Sequence, residues 1–480
     1  MPAIDQWFSV TQHNAPMIVM KFGGTSVEDA RAINNAIALV TRQIHQHPVV
    51  VLSAIAGATD ALLKSAELSV AEHLDEATLL LNKLLERHVL IAENLIDSRS
   101  AVQQLIFQLR SRFEELKNLS QSIAILGELT KRSLDTIASM GELMSSLIFS
   151  ESMKARNYPV AWVDARTFMA TDDQFGNATP LFKEIEEKAT KIIHPYLTEN
   201  YVVITQGYIG STSRNITTTL GRGGSDYSAA IIGATLNAEE IQIWTDVDGI
   251  LTADPQITPM AKKLKSISYK EASELAYFGA KVLHPSTIRP AVQKNIPVIV
   301  LNSRRPDSSG TRVVANPPQS SISVKSIANK KGITIVNIQA TRLLSANRFM
   351  ETILEVFDRY NTSVELVNTS MASASLTVSN IEYLNAIVSD LEQFSDVTVF
   401  KDKAVVSIIG ERLHSTVGVA DRIFRSLEDI DVMMISQGAS ELNISLVIDN
   451  RNVVKAVQRL HKEFFEPLPQ EALFENIATS

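Results

Sequence analysis

Between residues 17 and 302, short apolar runs rich in β-branched residues alternate with longer stretches whose apolar positions recur at helical spacing. The runs MIVMK (17–21), PVVVLSA (48–54), PVAWVD (159–164), YVVITQG (201–207), IQIWTD (241–246) and PVIVLN (297–302) predict strands. Several are apolar at nearly every position, as strands covered on both faces are. The pattern predicts an α/β fold with a mainly parallel central sheet sandwiched by helices. From 62 to 147, Gly and Pro are scarce while Leu, Ala, Glu, Lys and Gln abound, which predicts a helical insertion.

A turn-rich stretch, 303–321, closes this region, and beyond it the pattern shortens and repeats. SVELVNTSMASASLTV, from Ser363, overlays DVMMISQGASELNISLV, from Asp431, at an offset of 68, with Val364 over Val432 and Leu376 over Ile444. An apolar run and a helix candidate precede each copy, and another helix follows it. Two copies predict paired small α+β units, since a solenoid needs shorter and more numerous repeats. The expected domains are 17–305, 320–400 and 401–470.

Composition narrows the function classes. The 480 residues are 45% hydrophobic and 20% charged, ordinary globular usage. Lys and Arg number 45 against 53 Asp and Glu, a net charge of −8, so no nucleic-acid partner is expected and anions must be captured locally. Cysteine is absent, which excludes disulfides, thiolate metal sites and a cysteine nucleophile. The nine histidines lack metal-ligand spacing. No apolar run approaches the roughly 18 residues of a membrane span, and the start has no basic end leading into an apolar core. A cytoplasmic protein with no membrane partner is expected.

Three glycine- or acid-rich motifs stand at strand ends. KFGGTS (21–26) ends the first strand and opens a helix that Ser26 and Asp29 can cap; its glycines let N–H groups approach an anion while Lys21 adds a charge. It is not the GxxxxGK[ST] loop, and Gly-Gly after a strand also reads as a tight turn. TTTLGRGGSDYSAA (217–230) leads into a helix near Ser225, with Arg222 offering a planar fork for a carboxylate and Asp226 in the first turn. A capped flexible loop is the alternative. WTDVDGILTADP (244–255) puts carboxylates where they can read a ribose or sit near a phosphate-borne metal, or simply make turns. GELMSS (141–146) sets Glu142 in an apolar helix, where a buried carboxylate needs a partner and a bound ammonium would serve. FGAKVLHP (278–285) carries Lys281, which can also be a solvated lysine.

Together with VLSAIAGATD (51–60), these motifs occur in the order seen in the amino acid kinase family, and the chain from residue 17 onward resembles its aspartate kinases. The repeated tail resembles their pair of ferredoxin-like ACT amino-acid sensors. The resemblance implies transfer of the γ-phosphoryl group of ATP, as its Mg²⁺ salt, to the side-chain carboxylate of L-aspartate, the first step towards lysine, threonine and methionine. It implies that Lys21 contacts the transferring phosphate and Asp226 orients it. Arg222 takes the substrate α-carboxylate and Glu142 its ammonium. Ser53, Thr59, Tyr208, Gly223 and Ser225 belong to the aspartate pocket, while Gly23, Gly24, Thr245, Asp246 and Lys281 match the nucleotide side. Leu251 and Gln256 depart from the family's usual Tyr and Arg near the nucleotide.

In the sensors the resemblance points to Leu343, Ala346, Phe349, Met350, Val364, Glu365, Thr369 and Ser370 as effector positions. Lysine is the expected effector ahead of threonine, although Met371 and Arg348 replace a glutamate and a glycine of lysine-inhibited relatives. That leaves Glu365 as the obvious partner for a lysine ammonium. A homodimer or dimer of dimers through the sensors is expected. The competing readings are another amino acid kinase, against which Glu142 and the paired sensors speak, and a non-catalytic regulator, which would have lost Lys21, Arg222 or Asp226.

Overall fold

The computed structural model describes residues 17–279, 283, 286–318, 322–341, 346–413, 415–438, 440–466 and 474–476. The chain forms two compact units: residues up to Ile250 with Val282–Pro317, and Leu251–Lys281 with the chain from Pro318 onward.

The first unit begins β1 (Ile18–Phe22), α1 (Ala30–Arg42), β2 (Val49–Leu52), α2 (Ala58–Val70), α3 (Leu74–Leu95), α4 (Arg99–Leu126) and α5 (Lys131–Lys154). It continues through β3 (Val160–Trp162), α6 (Phe182–Thr198), β4 (Val202–Gln206), the hairpin β5 (Ile209–Ser211) and β6 (Thr217–Thr219), α7 (Gly224–Leu236) and β7 (Glu240–Thr245). The chain then contributes β8 (Lys262–Leu264), β9 (Ser266–Ser268) and α8 (Tyr269–Tyr277) to the second unit. It returns with α9 (Arg289–Gln293), β10 (Val298–Asn302) and β11 (Thr311–Val314).

Within the first unit the sheet order is β3-β4-β2-β1-β7-β10-β11, parallel throughout except for β11. Burial of every residue of β1, β2 and β4 explains their unbroken apolar runs. The chain steps from β1 to β2 on one side and later to β7 on the other, so the C-terminal end of β1 is the switch point where such sheets open a crevice. The helical block runs from 58 to 154, wider than expected. Its last helix is no peripheral insertion: α5 is buried from Ile137 to Ser150 and packs on β3 and β4.

The second unit adds β12 (Val324–Ala340), α10 (Ala346–Arg359), β13 (Val367–Thr369), β14 (Ser373–Val378), α11 (Leu384–Leu391) and β15 (Ser395–Gly410). Then come α12 (Val419–Ser426), β16 (Val432–Gln437), β17 (Asn443–Asp449), α13 (Val453–Phe465) and β18 (Phe474–Asn476). The antiparallel sheet has the order β13-β14-β12-β15-β17-β16. β12 and β15 each serve two halves, and the pairing shifts register around Gly332, whose φ is +75°. In the first half, residues 333–340 of β12, β13, β14 and residues 395–403 of β15 make a ferredoxin-like 4-1-3-2 order. The second half repeats it with residues 404–410, β16 and β17, but its fourth strand is 324–331, which precedes the first half in sequence. The expected break at 400 therefore puts that strand in the wrong half. A strand without a repeated counterpart is invisible to self-alignment.

Segment 251–281 is knitted into this unit. Thr252 Oγ1 meets His461 Nε2 at 3.0 Å, Lys262 Nζ donates to the Phe465 carbonyl at 2.8 Å, and β8 pairs with β18. Glu271, which closes a capping box with Ser268, is fully buried and lies 2.9 Å from Lys325 Nζ.

Candidate active site

The strand ends of the first unit bring the glycine motifs together. Lys21, at the end of β1, points its Nζ to Asp226 Oδ1 at 2.6 Å. Asp226 stands in the first turn of α7, whose N-cap Gly223 has φ +74°. Gly23 N–H donates to the Trp244 carbonyl at 3.0 Å, which ties the loop after β1 to the end of β7. A Cβ on Gly24 would sit 3.0 Å from the Ala54 carbonyl, so glycine lets the loops after β1 and β2 touch. Ser26 does not cap: its hydroxyl bonds the Trp244 carbonyl and Ser303, and Asp29 alone caps α1 through Ala32 N–H.

Glu142 reaches the same place from α5. Gly141 makes this possible, because a Cβ there would lie 2.8 Å from that of Ala54. Ser145 donates to the Ser53 carbonyl at 2.7 Å and holds the helix against the end of β2. Glu142 is buried; the Ala54 N–H donates to its carboxylate, but burial dominates and pushes the pKa up to about 8. Its Oε2 has no hydrogen-bond partner among the described residues. Thr59 is in the first turn of α2, close to the approach of Gly141.

Tyr208 follows β4 with φ +68°, uncommon for a bulky residue. Ser228 accepts its backbone N–H at 3.0 Å, and its ring lies where a Cβ on Gly224 would intrude. Burial raises its phenol pKa. Ser225 abuts Gly207, where any Cβ would collide with it. Arg222, between Gly221 and Gly223, is exposed and makes no ion pair among the described residues. On the far side, Thr245 ends β7 and contacts the exposed Asp246 through their side chains at 3.2 Å. Lys281 lies outside the described residues.

Several positioning groups escape sequence inspection. Arg87 of α3 donates to the carbonyls of Ala56 and Glu28 at 2.7 and 2.9 Å, clasping the loops after β2 and β1. Asp248 is buried between Asn302 at 2.7 Å and Arg305 at 2.5 Å. Asp135 is buried on α5 seven residues before Glu142 and shares its signal, an acid in an apolar helical stretch.

Of the expected effector positions, Phe349 is a core residue of the first sensor half, with Met350 and Val364 packed on that core. Glu365 is already partnered by Lys330 Nζ at 2.5 Å. Thr369 is exposed at the end of β13, and Ser370 bonds Ser373 across the following turn. Leu343 and the side chain of Ala346 lie outside the described residues.

The amino acid kinase family profile matches residues 16–302, and an ACT domain profile matches 406–464. Lysine-sensitive aspartokinase 3 of Escherichia coli (strain K12) is 36% identical over 469 residues, 94% of this chain and 99% of that protein. Aspartokinase 2, chloroplastic, of Arabidopsis thaliana is 35% identical, over 94% of this chain and 85% of that protein. The crystal structure of E. coli aspartokinase III with aspartate and ADP superposes with a TM-score of 0.80 at 34% identity, covering 94% of this chain and 100% of that one. The same enzyme with lysine and aspartate also gives 0.80. Fold and site thus define an enzyme of the amino acid kinase family. Within that family, the chain belongs to the aspartokinases.

Proposed function

We propose that the chain transfers the γ-phosphoryl group of MgATP to the side-chain carboxylate of L-aspartate, giving 4-phospho-L-aspartate and ADP. The observation that carries this reading is Glu142, buried with one oxygen unpartnered among the described residues, in the unit where Lys21 at the end of β1 meets Asp226 at the start of α7. A buried carboxylate without a cation is costly, and a substrate ammonium removes the cost. The attacking carboxylate is ionised near neutral pH, so no general base is required. What the reaction demands is alignment of two anions and neutralisation between them.

Lys21 neutralises the transferring phosphoryl group, and Asp226 fixes its ammonium. Arg222 takes the α-carboxylate, with Gly221 and Gly223 freeing the turn that presents it. Ser53, Thr59, Tyr208 and Ser225 line the amino-acid pocket. Thr245, Asp246 and Lys281 serve the nucleotide, with Gly23 and Gly24 open to its phosphates. Mg²⁺ needs few protein ligands when phosphates carry it, and the described residues hold no cluster of three potential ligands. Asp226 in the first turn of α7 and Asp246 after β7 are the carboxylates suited to complete its shell, and the ion would spread the charge of the phosphates.

The regulatory unit senses an end-product amino acid, lysine before threonine, and joins subunits about a two-fold axis. The lysine complex of the E. coli relative supports this. Lys330 already neutralises Glu365, so an effector ammonium at that carboxylate has to displace a lysine of the chain itself.

The test of the catalytic reading is acyl-phosphate trapping with hydroxylamine in the presence of ATP and Mg²⁺, comparing aspartate with glutamate. Aspartate-dependent hydroxamate is expected; its absence sinks the reading.

A further inference from the structure

Asp135 is 2% exposed, yet the phosphoryl transfer does not use it. Its carboxylate accepts three hydrogen bonds. Oδ2 takes the N–H groups of Gly176 and Thr219, both at 2.9 Å, and Oδ1 takes the Thr219 hydroxyl at 2.7 Å. These donors sit on the two segments that flank Arg222. Thr219 ends β6 three residues before the arginine, and Asn177 crowds the space that a Cβ on Gly221 would need. Ala178 N–H donates to the Thr219 carbonyl at 2.8 Å and joins the segments to each other.

We propose that Asp135 is a positioning residue for the amino-acid substrate: through Thr219 and Gly176 it anchors the turn carrying Arg222. The α-carboxylate is thereby held at a fixed place, and the side-chain carboxylate is brought to the phosphate. The inference rests on the aspartate kinase reading above.

Steady-state kinetics of the full chain, with each substrate varied in turn, test it. Asp135→Ala raises the aspartate KM at least tenfold and leaves the ATP KM within about twofold. Asp135→Asn restores most of the loss, because its amide oxygen can accept both backbone N–H groups while its NH2 donates to the Thr219 oxygen. Thr219→Val, which keeps the side-chain volume and removes one of the three bonds to Asp135, raises the aspartate KM severalfold. If Asp135→Ala does not fold, Thr219→Val decides. An aspartate KM within twofold of wild type in the variants, or an ATP KM rising in step, overturns the role of Asp135. A wild-type chain without aspartate-dependent ADP formation overturns the kinase reading instead, so the two failures are distinguishable.

Discussion

Glu142 of the first unit and two paired glutamates of the second are treated in opposite ways. In the second unit the buried Glu271 is enclosed with Lys325, and the partly buried Glu365 is met by Lys330, each at ion-pair distance. In the first unit Glu142 is buried too but receives only backbone N–H groups, from Ala54 and from Glu142 itself, with one oxygen unpartnered among the described residues. A paired buried charge belongs to the architecture, while an unpaired one is a standing demand for a ligand. Lys21–Asp226 and Arg305–Asp248 show that the first unit pairs carboxylates too. The position of Lys21–Asp226 at the switch point, beside backbone opened by glycine, is what sets it apart.

The largest effect should come from breaking the architectural pair. Lys325→Met strands Glu271 in the interior, and denaturant unfolding should show a loss of about 3–5 kcal/mol, much of it recovered when Glu271→Leu is added. Recovery in kinase activity without recovery in stability would contradict the structural assignment. Next, Lys21→Ala should lower kcat by about 10²–10³-fold, the scale of one lost charge stabiliser, without a comparable loss of stability. If instead it only unfolds the chain, the pair is architectural after all.

Glu142→Gln sharpens the contrast. Neutral and of the same shape, glutamine should leave the melting temperature level or higher while raising the aspartate KM on the order of 100-fold. Arg222→Ala should likewise act on the aspartate KM rather than on kcat. With the carboxyl pKa at about 8, binding an ammonium at neutral pH requires Glu142 to release its proton, so the aspartate KM should fall as pH rises and level off above about 8. Glu142→Gln should abolish that slope. Stability runs the other way: the folded carboxyl keeps its proton to about pH 8 and the unfolded one loses it near 4.5. Its contribution is therefore complete below about 4.5 and declines as pH rises towards 8.

The smallest change is expected at the surface of the contrast. Lys330→Ala leaves Glu365 without its cation and should lower the lysine concentration needed for half-inhibition a few-fold, with kcat unaltered. An unchanged or weakened lysine response would place the effector's ammonium elsewhere.

The residues proposed to contact ligand are legible because each sits in a local motif: glycines that open backbone at 23, 24 and 223 flag their neighbours Lys21, Arg222 and Asp226. Glu142 was legible as an acid in an apolar helix. The supports were not, because their partners are remote in sequence. Asp135 meets Thr219 across 84 residues, Arg87 meets Glu28 across 59, and no periodicity connects them. In the fold, apolar runs were enough to find the sheet, since burial on both faces removes the polar alternation. The shared strands of the sensors were hidden for the opposite reason: β12 changes allegiance at a bulge in mid-strand, and hydrophobic pattern carries no mark of which neighbour a strand selects.

The excursion of residues 251–281 also sets an order of manufacture. Thr252 leaves the ribosome 209 residues before His461, its packing partner. At roughly 5–20 residues per second, this stretch waits about 10–40 s for the partners it has in the folded unit. Until the last helix emerges those partners are missing, and chaperone occupancy on the nascent chain should concentrate there.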